Sequence, residues 1–498
     1  LLFYPETEYP SILLQFISTF LEDGDFLQRW VKLIPMCGIF GIFGVENAEK
    51  YAFFGIYALQ HRGQESVGIA VSDFENIKVV KKEGLVLSAI KKEDLEQAKG
   101  YLAIAHVRYA TAGRSGALNA QPFLKKTPIG EVAVAHNGNL VNFKELKEEL
   151  LQEGEAFEYD SDTELFLSLL GKGTYTPEGL KLHPEDEQLL PYFFHVLKRV
   201  QGAYSVLFLL KDRLIAIRDP YGFRPLLMGR LKDAILFASE SCAFDILSGE
   251  LWREVKPGEV VVVSKSGIRS YFPFSSSKRA MCIFEFVYFS KPESYIFNDW
   301  VYNARKKMGE VLAQEDELIA DVVVPVPDSG VVPALGYSQR KGIPLELGLI
   351  RNHYVGRSFI EPTQELRDIK VLMKFNPNPA VLKGKRVVVI DDSLVRGTTS
   401  KKIVGMLRKA GAKEVHMRIA SPPVIGPCYY GIDTPTREEL IATKFGIQEI
   451  AEFIGADSLK YLSLDGLKSC VEDPEDFCTA CFSGQYPLEV KEEVQRIR

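Results

Sequence analysis

The chain has 498 residues, 46% hydrophobic and 25% charged, the balance of a globular protein long enough for two or three domains at ~150 residues each. A net charge of −6 excludes the overall basic footprint of a nucleic-acid binder, so anionic ligands would need local positive sites. Seven cysteines are too few for a disulfide scaffold at this length and suit a reducing cytoplasm.

Residues 1–36 fit poorly with the rest of the chain. Their best apolar stretch, Ile12 to Leu21, contains Gln15, Ser18 and Thr19, and is about half the ~20 residues a membrane-spanning helix needs. Glu6 and Glu8 lead it, with no basic residue, which is not the pattern of a signal peptide. The segment is expected to be a propeptide or a non-native upstream extension, with Met36 as the biological start.

Cys37-Gly38-Ile39-Phe40-Gly41-Ile42-Phe43-Gly44 reads as a buried strand, since small and branched residues pack on both faces. If Met36 is removed, Cys37 carries a thiol and a free α-amine on one residue, a nucleophile with its own base. A buried structural cysteine is the alternative.

From Cys37 to about Ser270 strands dominate. The candidates are Leu102–Val107, Val132–His136, Ser205–Leu210, Leu214–Arg218, Ala234–Ala238 and Glu259–Ser264. Their spacing predicts an antiparallel α+β domain with two sheets. Helices are predicted over Asn142–Leu151 and Asp162–Leu170, the second capped by Ser161 or Asp160. Gly171–Leu190, rich in Gly, Pro and charge, reads as a surface insertion.

Polar clusters sit at element ends in this half: His61-Arg62-Gly63-Gln64-Glu65, His106-Val107-Arg108-Tyr109-Ala110-Thr111, His136-Asn137-Gly138-Asn139 and Asp160-Ser161-Asp162. Each alone is an ordinary turn or surface cluster. Together they suit amide hydrolysis at a thiol. An Asn-Gly turn supplies N–H donors to an oxyanion, Arg108 can fork onto an amino-acid carboxylate, and Asp162 can hold its ammonium. The Cys37 amine would take the thiol proton and pass it to departing ammonia.

On these motifs, in this order, residues 37–270 resemble the N-terminal-nucleophile (class II) glutamine amidotransferases, with stacked antiparallel sheets. The resemblance implies Cys37 as nucleophile, Asn137 and Gly138 as the oxyanion hole, and Arg108 and Asp162 as the glutamine-binding pair.

Beyond a short linker at residues 275–278, strands and helices alternate. Asp321–Val326 and Arg386–Ile390 are continuous apolar runs of the kind buried in a parallel sheet. Lys401–Ala410 is predicted helical and Glu414–Ala420 extended. The last ~30 residues read as acidic, then helical and charged.

The sharpest motif is Val387-Val388-Val389-Ile390-Asp391-Asp392-Ser393-Leu394-Val395-Arg396-Gly397-Thr398-Thr399-Ser400. A buried strand ends in two acids, then a Gly/Thr loop opens a helix. Ligands of open α/β sheets bind beyond the carboxyl ends of strands. The loop N–H groups and helix N-terminus favour a phosphate, and paired acids suit ribose hydroxyls or a hydrated Mg²⁺. A plain capped turn is the alternative, and no Walker A loop is present.

This stretch resembles the fingerprint of type I phosphoribosyltransferases, α/β domains with a mainly parallel sheet. The resemblance implies that Asp391, Asp392, Ser393, Val395, Arg396, Gly397, Thr398, Thr399 and Ser400 bind 5-phosphoribosyl 1-diphosphate, with Mg²⁺ at Asp391 and Asp392. Pro325-Val326-Pro327-Asp328-Ser329-Gly330 is similar to the family's pyrophosphate-side loop, where some relatives carry serine at the position of Gly330. Arg351-Asn352-His353-Tyr354-Val355-Gly356-Arg357, basic and aromatic, reads as a solvated loop or as a lid in which Arg351, Tyr354 and Arg357 close over the polyanion.

The two halves in tandem resemble the family of glutamine-dependent phosphoribosyl diphosphate amidotransferases. That implies glutamine, water and the donor as substrates, 5-phosphoribosylamine, glutamate and pyrophosphate as products, purine nucleotides as inhibitors, and a homotetramer or homodimer. Cys478-Thr-Ala-Cys481 alone fits zinc, redox chemistry or nothing. Some members of this family hold a [4Fe–4S] cluster, and the matching positions are Cys282, Cys428, Cys478 and Cys481, although four thiolates also suit zinc. The expected organisation is 1–36 extension, 37–270 glutaminase, 278–465 phosphoribosyltransferase and 466–498 tail.

Overall fold

The computed structural model describes residues 37–108, 117–274, 278–352, 374–432 and 434–490. The expectations for residues 1–36, for the linker at 275–277 and for Tyr354 and Arg357 fall outside them.

The first half is built on strands β1 Gly38–Phe43, β2 Ser66–Ser72, β3 Ile77–Glu83, β4 Leu102–Arg108, β5 Phe123–Thr127, β6 Gly130–Leu140, β7 Gly202–Leu209, β8 Arg213–Arg218, β9 Leu227–Leu231, β10 Ala234–Ala238, β11 Glu250–Glu254, β12 Val260–Ser264 and β13 Gly267–Tyr271. They form two antiparallel sheets, ordered β11-β9-β10-β1-β4-β2-β3 and β13-β12-β8-β7-β6-β5. Alternation along β1 explains their stacking. Ile39 and Phe43 enter the core between the sheets with Ala133, Leu207 and Leu214. Phe40 and Ile42 face the other way, onto Ala52 and Ile56 of helix Ala48–Ala58. A one-residue slip would exchange the two sets, so the register is strongly specified.

The outer face of the second sheet is covered by helices Phe143–Gln152, Glu164–Leu169 and Leu190–Arg199. The first two lie where the sequence predicts them, but the predicted cap does not. Thr163 precedes the first turn of Glu164–Leu169 without a side-chain cap. Asp162 instead accepts from the backbone N–H of Leu140 at 2.9 Å through Oδ2, so one of its two carboxylate oxygens is bonded to the sheet. The insertion at 171–190 is mostly turns, but it is not merely a surface excursion. Asp186 is buried and takes Arg269 Nε at 2.6 Å and Tyr271 Oη at 2.7 Å, which pins the insertion to β13.

The second half holds a parallel sheet of Val322–Pro325, Arg386–Asp391, Glu414–Ile419 and Ser458–Tyr461, in that order. Both faces of its first two strands are covered, which is why Val322–Val324 and Val387–Ile390 are continuously apolar. Val387 and Val389 pack with Ile403, Leu407 and Ile450 of helices Thr398–Lys409 and Ile447–Ile454. Val388 and Ile390 join Leu312 and Tyr337 of helices Val301–Glu315 and Val331–Lys341. This last cluster also contains Phe40, Ile42, Phe286 and Phe477, so one apolar core runs from the first half into the second. The tail returns to the start of this half: Phe477–Cys478 pairs in parallel with Met281–Cys282. Helix Ala480–Ser483 follows and residues 484–490 are irregular; the helix expected in the charged end of the tail falls largely on residues 491–498, outside the described residues. Among the described residues, no helix is long and apolar enough to cross a membrane.

Candidate functional site

Cys37 is buried and directly precedes β1. In the antiparallel pairing of β1 with β4, Gly38 lies opposite Val107, which sets Cys37 beside Arg108. On the other side, Ser239 joins β1 to β6. Its Oγ accepts from Ile39 N–H at 3.1 Å and from Asn137 Nδ2 at 3.5 Å. Cys37, Arg108 and Asn137, far apart in the chain, are thus gathered at one end of the two-sheet stack. Ser239 went unread in the sequence, because a serine after an apolar strand carries no local signal.

His136-Asn137-Gly138-Asn139 is not a turn. All four residues lie within β6, with Asn137 opposite Ser205 and Gly138 opposite Tyr204. Glycine is required there by a close approach: a Cβ on Gly138 would sit 1.9 Å from the carbonyl oxygen of Ala203. Asn-Gly reads as a turn at a strand end because turns favour that pair, but here the glycine admits a neighbouring strand.

Asp162 reaches this region through its bond to Leu140 N–H and lies 3.8 Å from His136 Nδ1. Burial lowers the pKa of His136, and Asp162 opposes the shift. His106 is held at about 3 by burial and then by the Arg108 charge, so its ring is neutral. Arg108 lies 3.5 Å from Glu65 Oε1.

The second half comes up against this site. Asn139 Nδ2 donates to Tyr429 O at 2.9 Å. A Cβ on Gly431 would lie 2.8 Å from the carbonyl carbon of Gly138, and Gly431 has φ +99. The two glycines allow backbone-to-backbone contact between the halves.

At the other site, Asp391 ends its strand and Asp392 follows, both buried. Burial raises both carboxyls, and Asp391 is raised further by the adjacent Asp392. Asp392 accepts from the hydroxyls of Ser329 and Ser393, and its N–H donates to Asp391 Oδ1 at 3.0 Å. Gly397 takes φ +75 and opens helix Thr398–Lys409, three residues before the predicted start. Thr398, Thr399 and Ser400 therefore form its first turn, whose N–H groups lack intrahelical partners. Arg396 pairs with Glu439 at 2.9 Å, and Val395 O accepts from Ile441 N–H at 3.0 Å, so the loop is anchored on both sides. A Cβ on Gly330 would stand 2.4 Å from Ile390 O. Serine does not fit at that position in this backbone, while the neighbouring Ser329 hydroxyl meets Asp392. Arg351 reaches Asp328 Oδ2, on the same loop as Ser329.

Cys282, Cys428 and Cys481 are buried and Cys478 is half-buried. Cys282 and Cys478 lie opposite each other in the short parallel pair, and Cys481 O accepts from Ile425 and Gly426 N–H, close to Cys428. Burial pushes Cys282 up to about 12, and burial with the neighbouring thiols raises Cys478 and Cys481. The four thiols gather as expected. Among the described residues, however, no group of three or more His, Cys, Asp or Glu side chains is set to hold a metal ion. The expected cluster is thus matched in donor type and neighbourhood, but not in ligating geometry. Cys242 and Cys470 are buried elsewhere in the core. A cavity of about 840 Å³ lined by Thr174, Glu185, Tyr192 and Arg213 contains none of the candidate residues.

Comparison with known proteins agrees with this geometry. Residues 106–245 match a glutamine amidotransferase domain and residues 301–420 a phosphoribosyl transferase domain. The chain is 50% identical over 459 residues to amidophosphoribosyltransferase 1, chloroplastic, of Arabidopsis thaliana, covering 92% of this chain and 79% of that one. It is 46% identical over 472 residues to the amidophosphoribosyltransferase of Methanocaldococcus jannaschii, covering 91% and 98%. The solved glutamine phosphoribosylpyrophosphate amidotransferase of B. subtilis, complexed with ADP and GMP, superposes with a TM-score of 0.84 at 43% identity, over 93% of this chain and all of that one. With both halves matched and most of each relative covered, the chain belongs to the amidophosphoribosyltransferase family, which makes 5-phosphoribosylamine, glutamate and pyrophosphate from glutamine, water and 5-phosphoribosyl 1-diphosphate in the first step of purine biosynthesis.

Proposed function

We propose that Cys37, freed at its α-amine, is the nucleophile of this reaction, and that its ammonia crosses inside the molecule to the Asp391–Ser400 site. The observation that carries this reading is the meeting of Gly138 with Gly431 and of Asn139 with Tyr429 O. It sets the candidate oxyanion strand against the second half with no intervening layer.

Arg108 takes the glutamine carboxylate in a forked contact and Asp162 its ammonium. The Cys37 thiolate attacks the side-chain amide carbon. The oxyanion is stabilised by Asn137 Nδ2 and the Gly138 N–H, donors fixed before reaction and therefore needing little reorganisation. The α-amine carries the thiol proton to departing ammonia, and water then releases glutamate from the thioester. An internal route keeps the ammonia unprotonated, since ammonium is not a nucleophile.

Ammonia attacks C1 of the phosphoribosyl donor and pyrophosphate leaves. The N–H groups of Thr398, Thr399 and Ser400, with their hydroxyls, hold the 5-phosphate at the helix N-terminus. Asp391 and Asp392 face the ribose, with Ser393, Val395, Arg396 and Gly397 shaping the loop. Two adjacent carboxylates, both raised by burial and Asp391 further by Asp392, suit a divalent cation, and Mg²⁺ held there would neutralise charge on the departing pyrophosphate. Ser329 orients Asp392. Arg351, with Tyr354 and Arg357 outside the described residues, serves as the lid that excludes water.

Cys282, Cys428, Cys478 and Cys481 hold a [4Fe–4S] cluster in this reading, a structural clamp of the tail on both halves. Four gathered thiols beside a buried arginine, Arg224, support it, because that cation favours the deprotonated form of Cys282 and Cys478 against the burial that raises both. Stoichiometric iron and sulfide in anaerobically prepared protein is expected; zinc without iron would overturn it. Residues 1–36 are removed before glutamine is used. Inhibition by purine nucleotides, a cytoplasmic location and a homotetramer or homodimer complete the reading. Fractionation and sedimentation test the last two, the Arabidopsis relative being named as chloroplastic.

The decisive assay is pyrophosphate release from the donor with glutamine, with ammonia and with neither. Release dependent on either nitrogen source is expected, and failure with glutamine in protein beginning at Cys37 refutes the proposal.

A further inference from the structure

Four fully buried charges lie between the two sites, and the reaction as described uses none of them. Arg62 Nε donates to the carbonyl oxygen of Cys37 at 3.1 Å. Its other nitrogens pair with Glu240 and, at 2.8 Å, with Glu285 Oε1. Glu285 Oε1 also accepts from Arg224 Nη1 at 3.2 Å. Arg224 in turn donates to Tyr430 O at 2.7 Å, one residue before the Gly431 that meets Gly138. Glu240 is held by His61, Ser294 Oγ and Lys291 N–H.

Glu285 opens the turn Glu285–Phe289 that joins the halves. The second half fixes this turn independently. Arg305 Nε donates to Phe286 O at 2.6 Å and Nη2 to Ser290 O at 2.8 Å, while Ser290 Oγ donates to Glu285 Oε2 at 2.8 Å. Burial disfavours the Arg62 cation, and Glu285 and Glu240 more than compensate. Buried ion networks of this kind are weak evidence for stability, since well-packed apolar residues often do as well. Their use is to fix one geometry. Here the fixed atom is the main-chain oxygen of the candidate nucleophile.

We propose that Glu285 is a positioning residue for glutamine cleavage: through Arg62 it holds the Cys37 main chain, and through Arg224 it ties that chain to the segment of the second half lying over Gly138. The proposal rests on the reading of Cys37 as nucleophile. It assigns a role in glutamine cleavage to the His61–Glu65 motif, whose arginine touches no substrate group in that reading.

The test uses protein beginning at Cys37 with Glu285→Gln, which keeps the shape but presents an amide N–H₂ to two guanidiniums, and Arg62→Lys, which keeps the charge but cannot also reach Cys37 O. Pyrophosphate release is measured with glutamine and with ammonia, alongside glutamate formed per pyrophosphate. Displacing a reacting group by ~1 Å costs about 100-fold, so both variants should lose about 10- to 100-fold in glutamine-dependent kcat. Ammonia-dependent kcat and the KM for the phosphoribosyl donor should stay within about twofold. Parallel loss with both nitrogen sources would show a merely structural role and overturn the proposal, as would full glutamine use by Arg62→Lys. Cys37→Ala is the control: if it still uses glutamine, the nucleophile reading fails; if it does not while both variants do, the positioning role alone fails.

Discussion

The two sites are assembled in opposite ways. The proposed donor site is nearly all one stretch: a strand end, two acids, a loop and a helix start, Asp391 through Ser400. The proposed glutamine site collects Cys37, Arg108, Asn137 and Asp162 from four separate segments, with Ser239 and Leu140 bonded between them. A contiguous site depends on local backbone geometry. A dispersed one depends on sheet register, and therefore on strands that carry no chemistry themselves. Changes at the donor site should act locally, whereas the glutamine site should also fail through its packing.

The sharpest way to break this comparison is to remove one reacting group from each site. Cys37→Ala should lower glutamine-dependent pyrophosphate release by about 10³-fold or more and leave ammonia-dependent release intact. Asp391→Ala should lower both by about 10²-fold. Equal loss with both nitrogen sources in the cysteine variant would remove the functional separation.

Packing is tested next at the two crowded glycines. Gly138→Ala places a methyl group against Ala203 O and should cost about 1–3 kcal/mol in urea unfolding, with loss of glutamine turnover. Gly330→Ser meets Ile390 O and should cost a similar amount in folding while giving no gain in donor affinity. Improved donor binding in that variant would show that the loop can open to admit a side chain.

A pH experiment probes the dispersed site again. His106 has a pKa of about 3 in the fold against 6.5 when free. Below pH 6.5 the unfolded chain takes up a proton that the folded chain refuses, so this contribution is present above 6.5 and is lost as pH falls toward 3. At pH 5 the loss is about 2 kcal/mol. Wild type should therefore lose about that much more stability between pH 7 and 5 than His106→Gln, measured by denaturant midpoints. Identical pH slopes would mean that the His106 ring is protonated in the fold.

The smallest effect is expected at Ser329. Losing a hydrogen bond to a charged carboxylate costs about 1.5–3 kcal/mol. Ser329→Ala should thus raise the KM for the donor about tenfold with either nitrogen source. An unchanged KM would leave Asp392 oriented by Ser393 alone.

The same contrast decides what could be read from residues alone. The segment proposed as the donor site stands out in the sequence because its candidate chemistry and its backbone geometry lie in one stretch. Asp321–Val326 and Arg386–Ile390 showed the continuous valine runs of a doubly covered sheet, and the structure places strands at Val322–Pro325 and Arg386–Asp391. The glutamine site was legible only as a set of motifs. His136–Asn139 looked like a turn because Asn-Gly usually is one, and the neighbour that explains its glycine, Ala203, lies 65 residues further on. Ser161 looked like a cap for want of any sign that Asp162 was bonded to Leu140. Gly330 looked like a loss until the Ile390 carbonyl showed that no side chain fits there.

By itself the sequence determined the order of the two halves, their sheet types and much of the strand and helix pattern, because local periodicity and short motifs encode these. Only the tertiary structure decided that Cys37 sits beside Arg108, that Gly138 meets Gly431, and that Glu285 is shared between Arg62 and Arg224. Those contacts join residues tens to hundreds of positions apart, and no local pattern records which distant carbonyl or carboxylate a buried side chain will meet once the sheets have stacked.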